Sequence, residues 1–419
     1  MQGAVVLRFS RKTNVLLALF VALVIVKVVL AMATPPTMPI VYYLEVQSYT
    51  RSPDSSNPWG RFNNATLSVW YSLPIDHPSL ETFLTNKSIF LPFSLQLLLL
   101  LVKLPLIAAD ILIAFILFKL GKLLWPMTSR PYIAALLWFA NPYAIFVTEM
   151  MGAVDVLPVA TIMLGLLLVI KRKNVLSAAS VAAGIALKLF PLVTIPAILY
   201  SSRIAGSRLA KILISALLVV LGLVAYVSWS QFPFSEAYYT QATTEFILGT
   251  ESLYGIAVTP DFIGLATFAV VISYLLAYEF RPELFQRPLM VALFALLAYV
   301  AFLDFQVEYI LWIIPLFVIA NIDLRRTVPL FVLILVTAFT LGFLTADGFT
   351  TSSGWTLLFF NRSSEWADVL LSSQFIDLVL RPTLRTMLTA FMLLSMLLIW
   401  SSKVEPIERD SHADPLVAA

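Results

Sequence analysis

The sequence predicts an all-α integral membrane bundle of about twelve transmembrane helices, joined on one side by long loops. Two features of composition and one of charge placement predict it. The 419-residue chain is 60% hydrophobic and only 12% charged, with a mean hydropathy of +0.92, whereas a soluble domain is about a quarter charged. Apolar runs of membrane-helix length recur from end to end. Lysine and arginine gather at alternate ends of those runs. The spans are helical because a backbone that faces lipid must satisfy its own hydrogen bonds.

The opening "MQGAVVLRFSRKTNVLLALFVALVIVKVVLAMA" has the outline of a signal peptide. Its apolar part is too long for one, and no small-residue cleavage site follows, so it reads as a retained first span at 14–33. Further spans are expected at 104–121, 131–149, 156–170, 174–187, 189–202, 209–228, 262–279, 288–303, 309–321, 327–345 and 383–401. Those around Asp155 and Lys188 are short, and are expected to be tilted, broken or only partly crossing. The segment "SIFLPFSLQLLLLLVK" is too close to the second span to cross separately, and is expected along the outer interface. Asn141-Pro142 interrupts the third span, and a structural kink is its plainest reading.

Alternation from a cytoplasmic N-terminus places 18 of the 27 basic residues inside, including Arg8, Arg11, Lys12, Lys119, Lys122 and Arg130. It does the same for Lys171, Arg172, Lys173, Arg203, Arg208, Lys211, Arg281, Arg287, Arg325, Arg326, Lys403 and Arg409. The positive-inside rule is then met at every cytoplasmic loop, and both termini are expected in the cytoplasm. The long loops at 34–88, 229–261 and 346–382 fall outside. In the last, "EWADVLLSSQFIDLVLRP" has the pattern of an amphipathic interfacial helix. Asn64, Asn86 and Asn361 head N-x-S/T sequons, all on the outer side. Residues 1–402 form one polytopic unit, and 403–419 a polar cytoplasmic tail expected to be disordered. No internal repeat stands out.

Composition excludes several chemistries. There is no cysteine, so disulfides, thiol nucleophiles and thiolate metal sites are ruled out. His77 and His412 are the only histidines, too few for a histidine-built metal centre. The net charge of +3 is too small to point to nucleic acid.

Ionisable residues inside apolar runs are the functional candidates, because an unpaired or unhydrated charge there costs a few kcal/mol or more. They are Asp110 in "KLPLIAADILIAFILFK", Asp155 in "EMMGAVDVLP", Lys188 in "GIALKLFPLVTIP" and Glu308 in "FLDFQVEYILWIIPL". Two readings of Asp110 are open, as a substrate ligand or as a packing partner of Lys103 or Lys188. Glu308 lies at an outer turn beside Asp304 and is either a ligand or plain loop. Asp155 and Lys188 each fall at the outer end of a hairpin, so both are expected to face one external cavity. There an ammonium suits a phosphate and a carboxylate suits sugar hydroxyls.

The segments "KLPLIAADILIAFILFKLGK", "LLWFANPYAIFVTEMMGAVDVLPVATIMLGLLLVIKRK" and "AAGIALKLFPLVTIPAIL" resemble the GT-C membrane glycosyltransferases. The resemblance is closest to the enzyme that adds the first mannose of GPI anchors and to its prokaryotic relatives. It rests on Asp110 in the second span, on Asn141 and Pro142 before a small turn with Gly152 and Asp155, and on Lys188 followed by Phe190 and Pro191. "FQVEYILWIIPL" is similar to a late family segment. The resemblance covers residues 89–202, and 300–316 more loosely.

It implies a GT-C-like fold and transfer of a sugar, mannose first, from a polyprenyl-phosphate carrier to an acceptor hydroxyl on the outer face, with inversion. The implied partners are the polyprenyl-phosphate-linked donor, a lipid or glycan acceptor and membrane lipids. The implied location is the cell membrane of a prokaryote or the endoplasmic reticulum membrane of a eukaryote. Asp155, Lys188, Asp110 and Glu308 would bind substrate, and a carboxylate of the first external loop would be the base. The family's early acidic pair is missing there. Glu45 in "VYYLEVQSY" is the only early acid; Asp54, Asp76, His77 and Glu81 come after it. No cofactor is implied with certainty, and a divalent cation stays open. The alternatives are a transporter or flippase of a lipid-linked or anionic solute, and a catalytically degenerate structural subunit.

Overall fold

The computed structural model describes residues 11–34, 69, 72–75, 93–126, 128–188, 190–201, 260–281, 284, 287–303, 307–345 and 379–402. All regular structure among them is helical. The expected span at 209–228, the amphipathic segment, the sequons and the tail lie outside the described residues. So do the three long loops, apart from a few positions at their edges and within 69–75.

In chain order the helices are α1 (Arg11–Ala33), α2 (Phe93–Leu124), α3 (Arg130–Phe139), α4 (Pro142–Ile145), α5 (Val156–Ile170), α6 (Asn174–Leu187) and α7 (Ile195–Ser201). After the second long loop come α8 (Pro260–Phe280), α9 (Pro288–Phe302), α10 (Ile314–Asp323), α11 (Val328–Thr345) and α12 (Arg381–Ser401). Short 3₁₀ turns lead into α7 and α10, at Phe190–Thr194 and Val307–Trp312. Prolines open several helices, where the missing N–H costs nothing: Pro131 in α3, Pro142 in α4, Pro288 in α9, Pro315 in α10 and Pro382 in α12.

Gln96–Leu124, Arg325–Gly342 and Arg381–Ser401 are each long and apolar enough to cross a membrane. Arg130–Phe139 and Pro142–Met150 pass the same test together as one broken span, bent by 41°. The break falls at Asn141-Pro142, as the sequence led us to expect. Asn141 accepts hydrogen bonds from the Tyr143 and Ala144 N–H groups and so caps the new helix. The other apolar helices are shorter. α5 and α6 have 15 and 14 residues, about 22 Å each at 1.5 Å per residue, short of the roughly 30 Å of a bilayer core. One expectation is corrected. The apolar stretch before the second span is no separate interfacial segment, because α2 runs unbroken for 32 residues from Phe93.

α5 and α6 form a tight antiparallel hairpin. Its turn is closed by Arg172, whose φ of 60° lets Lys173 N–H reach Leu168 O and Arg172 N–H reach Val169 O, the Schellman pattern of a helix end. Ser177 Oγ donates to Gly165 O and Ser180 Oγ to Thr161 O across the hairpin. Small residues and hydroxyls at such a contact let two apolar helices approach closely.

α9 and α10 are buried on nearly every side and form the axis of the bundle. Helices around them turn apolar residues outward: Leu19, Ile25 and Val29 of α1, Phe268 and Leu275 of α8, Val332 and Val336 of α11, Leu394 and Leu397 of α12. Basic residues tie helix ends at one pole. Arg287 pairs with Asp323 at 2.7 Å, and Arg281 donates to Ser402 O at 2.8 Å and to Trp400 O. Arg385 and Thr389 of α12 donate to carbonyls at the other end of α9. α9 and α12 therefore run antiparallel.

Where α2 meets α3, a Cβ on Gly121 would lie 2.7 Å from the backbone Cα of Pro131. Backbone must move to admit it, and overpacking of this kind costs about 1–3 kcal/mol. Gly121→Ala is expected to lower the thermal midpoint of the detergent-purified protein. An unchanged midpoint would show that α2 and α3 are not this close.

Candidate functional site

The site is built on the open end of the α5–α6 hairpin. Antiparallel pairing brings the N-terminus of one helix beside the C-terminus of the other, and these ends carry Asp155 and Lys188. Each charge suits its helix end, a carboxylate at the N-terminus and an ammonium at the C-terminus.

Asp155 stands at the N-cap position of α5, yet its side chain does not cap the helix. The sequence explains this. Leu157 N–H is bonded to Val154 O, and the next residue is Pro158, which has no N–H. Denied its own helix, the carboxylate turns to other partners. Lys188 Nζ donates to Oδ1 at 2.8 Å and to Oδ2 at 2.9 Å. Trp312 Nε1 donates to Oδ1 at 2.7 Å. The Asp155 side chain is 3% exposed and that of Lys188 34% exposed, so the pair is accessible from the lysine side only.

Aromatic rings wall this pair. Phe190 lies flat on Trp312 with centroids 3.8 Å apart and planes 3° apart. Tyr309 packs on Trp312 at 4.3 Å. The Lys188 ammonium is 5.7 Å from the Tyr309 ring centre and 5.8 Å from that of Trp312, within cation–π range. Glu308 is half-buried on the same 3₁₀ turn, within electrostatic reach of both Lys188 and Asp155. Tyr143 of α4 donates to Val307 O at 2.6 Å and ties the broken helix to that turn. Gly152, with φ of 73°, supplies the bend between broken helix and α5. The stretches 141–158, 187–194 and 307–312, far apart in sequence, thus meet at one place.

Asp110 belongs to a different cluster. Lys27 Nζ of α1 lies 2.9 Å from Asp110 Oδ2 and 3.0 Å from Glu149 Oε1, with all three side chains fully buried. The same ammonium sits 4.7 Å from the Phe139 ring centre. The partner of Asp110 is therefore Lys27, and neither Lys103 nor Lys188. Lys103, also buried, donates to Thr34 O at 2.8 Å, Glu149 O at 2.8 Å and Met150 O at 2.9 Å. It caps the end of α1 and the end of the broken span together, where carbonyls lack helical donors. Two lysines and two carboxylates balance.

Among the predicted residues the structure joins Asp155, Lys188 and Glu308 and sets Asp110 apart. Glu45, Asp54, Asp76, His77 and Glu81 lie outside the described residues. Among the described residues no three His, Asp or Glu side chains gather closely enough to hold a metal ion. Sequence reasoning missed Lys27, Glu149 and Trp312. The first two had a signal, since each is a charge in an apolar run; Trp312 lies in the late segment marked by the resemblance, but its N–H partner, distant in sequence, has no local sign. Known protein families and curated proteins were compared with the chain, and none matches.

Removing one member of a buried ion cluster leaves its partners unpaired at a cost of about 3–5 kcal/mol, while replacing all by apolar groups is often neutral. Lys27→Leu alone is expected to destabilise strongly. Lys27→Leu with Asp110→Leu, which leaves Lys103 and Glu149 in balance, is expected to recover most of the loss. Thermal unfolding in nanodiscs reads both, and equal midpoints for the single variant and the wild type would refute the cluster.

Proposed function

We propose that this chain is a polytopic membrane glycosyltransferase of GT-C type, which moves a sugar from a polyprenyl-phosphate donor to an acceptor hydroxyl. The observation that carries the reading is the Asp155–Lys188–Trp312 arrangement. The three stretches that meet there carry the Asn141-Pro142, Gly152-Asp155 and Lys188-Phe190-Pro191 motifs of the GT-C resemblance, though not its Asp110, and a part-exposed ammonium at that point suits a phosphate.

In the proposed reaction Lys188 holds the donor phosphate and Asp155 and Glu308 accept hydrogen bonds from the sugar. The acceptor oxygen bonds to the anomeric carbon as the bond from that carbon to the phosphate oxygen breaks. The electron pair leaves on the lipid phosphate, and Glu45 takes the hydroxyl proton. A base must reach that proton within hydrogen-bond distance, and Glu45 is the first acid of the loop to which the resemblance assigns this role.

Transfer of radiolabelled sugar from a polyprenyl-phosphate mannose, with the enzyme in nanodiscs, tests the reading. Lys188→Ala and Asp155→Asn should each lower the rate at least tenfold, a loss of about 1.4 kcal/mol. Glu45→Gln should abolish turnover and leave donor binding intact, as expected of a group that acts only in the transition state. Full activity in all three variants would refute the site.

Transport of a lipid-linked or anionic solute is the second reading. It is favoured by the broken span and the buried charges beside it, features used by carriers. Uptake of a labelled polyprenyl-phosphate sugar into proteoliposomes, without sugar transfer, would decide for it.

The proposed topology has cytoplasmic termini. A cysteine at Ser235 should react with an impermeant thiol reagent in intact cells, and one at Asn174 should be protected. Reversed labelling would overturn the orientation.

A further inference from the structure

We propose that Asp155 is a place-holder anion: its carboxylate occupies the Lys188 ammonium when the site is empty and leaves it when a lipid-borne phosphate arrives. The proposal rests on the reading of Lys188 as the phosphate-binding group.

The geometry is that of an occupied anion site. Both carboxylate oxygens lie within 2.9 Å of the ammonium, as two oxygens of a phosphate would. The lysine is 34% exposed and the aspartate 3%, so a ligand reaches Lys188 first and Asp155 only through it. With both oxygens of Asp155 on it, the ammonium already has its charge matched, so a phosphate gains it by taking the carboxylate's place.

The carboxylate has somewhere to go. Trp312 N–H holds Oδ1 at 2.7 Å independently of Lys188, and Phe190 stacks on the Trp312 ring and fixes it. The N-terminus of α5 adds a favourable field for a negative charge. Asp155 can therefore pivot about Trp312 N–H and offer the freed oxygen to a sugar hydroxyl of the same ligand. One residue then does two jobs in sequence: it keeps the lysine compensated in an apolar bundle while the site is empty, and it reads the sugar once the phosphate has docked. The cost is affinity, because each phosphate must displace an internal competitor.

The consequence has a sign opposite to that of an ordinary ligand residue. Removing Asp155 should tighten phosphate binding while slowing transfer. The experiment is equilibrium binding of geranyl phosphate, with inorganic phosphate as a second arm, to the full-length protein in nanodiscs of neutral lipid. Asp155→Asn and Asp155→Ser are expected to bind geranyl phosphate at least tenfold more tightly than the wild type. Lys188→Met is expected to bind at least tenfold more weakly. The double variant Asp155→Asn, Lys188→Met should be as weak as Lys188→Met alone, because the gain passes through the lysine. Asparagine keeps an acceptor at the reach of Oδ1 for Trp312 N–H and serine is the smaller uncharged alternative, so a folding failure of one variant leaves the test standing in the other.

Equal or weaker binding by both Asp155 variants, with binding still lost in Lys188→Met, would overturn the place-holder and leave the phosphate-site reading intact. No binding of geranyl phosphate by the wild type or the Asp155 variants would overturn both. A gain as large with inorganic phosphate, at equal affinity, would overturn the lipid-borne source.

Discussion

An ammonium inside an apolar bundle has to find its counter-ions at contact distance, and Lys27 finds two, Asp110 and Glu149. That constraint joins three parts of the chain. α1 supplies the lysine, α2 the aspartate, and the end of the broken span the glutamate. Lys103 adds a second bond across the same junction by gathering carbonyls from the ends of α1 and of the broken span. The turn that follows Glu149 is the one that presents Asp155. A slip in any of the three would leave a charge unpaired in a medium that punishes it by several kcal/mol, so the junction fixes register more sharply than apolar packing does.

The second polar cluster is built on a different principle. Its charges sit at helix ends, where dipoles favour them, and one of them is partly open. The contrast between a sealed cluster that holds helices and an open one that can exchange a partner is the physical ground for seeking chemistry at Asp155 and Lys188. Trp312 and Phe190 supply the rigidity that the short helices cannot, since two flat-stacked rings have little freedom to shift.

Much of the helical architecture was legible in the sequence, because apolar runs and basic punctuation are local signals. The kink at Asn141-Pro142 and the meeting of Asp155 with Lys188 were legible too, the second because hairpin ends coincide once the basic turn Lys171–Lys173 is located. Span lengths were less so. Among the described residues, three helices by length and composition, or four with the bent pair, suffice to cross a membrane. Hydropathy reads an apolar run whether it is one straight helix or a 3₁₀ turn followed by a short one, as at Phe190–Ser201 and Val307–Asp323. The partner of Asp110 was sought in Lys103 or Lys188, and Lys27 was passed over, because pairing depends on which helices touch and nothing local records that. Trp312 is the same case: its role comes from a contact with a residue 157 positions away.

Under the proposed reading of α1 as a membrane span, the Lys27 junction also bears on how the chain enters the bilayer. α1 is made first, and it carries a positive charge into a run of hydrophobic residues long before Asp110 and Glu149 exist. Alone in lipid it would either pull its lysine toward the headgroups or shift its register to hide it. Only when α2 emerges can the ammonium return to depth, and only when the broken span follows does its second carboxylate arrive. On that reading insertion is a cooperative event among successive segments, in which α1 waits for later helices before it takes its final depth.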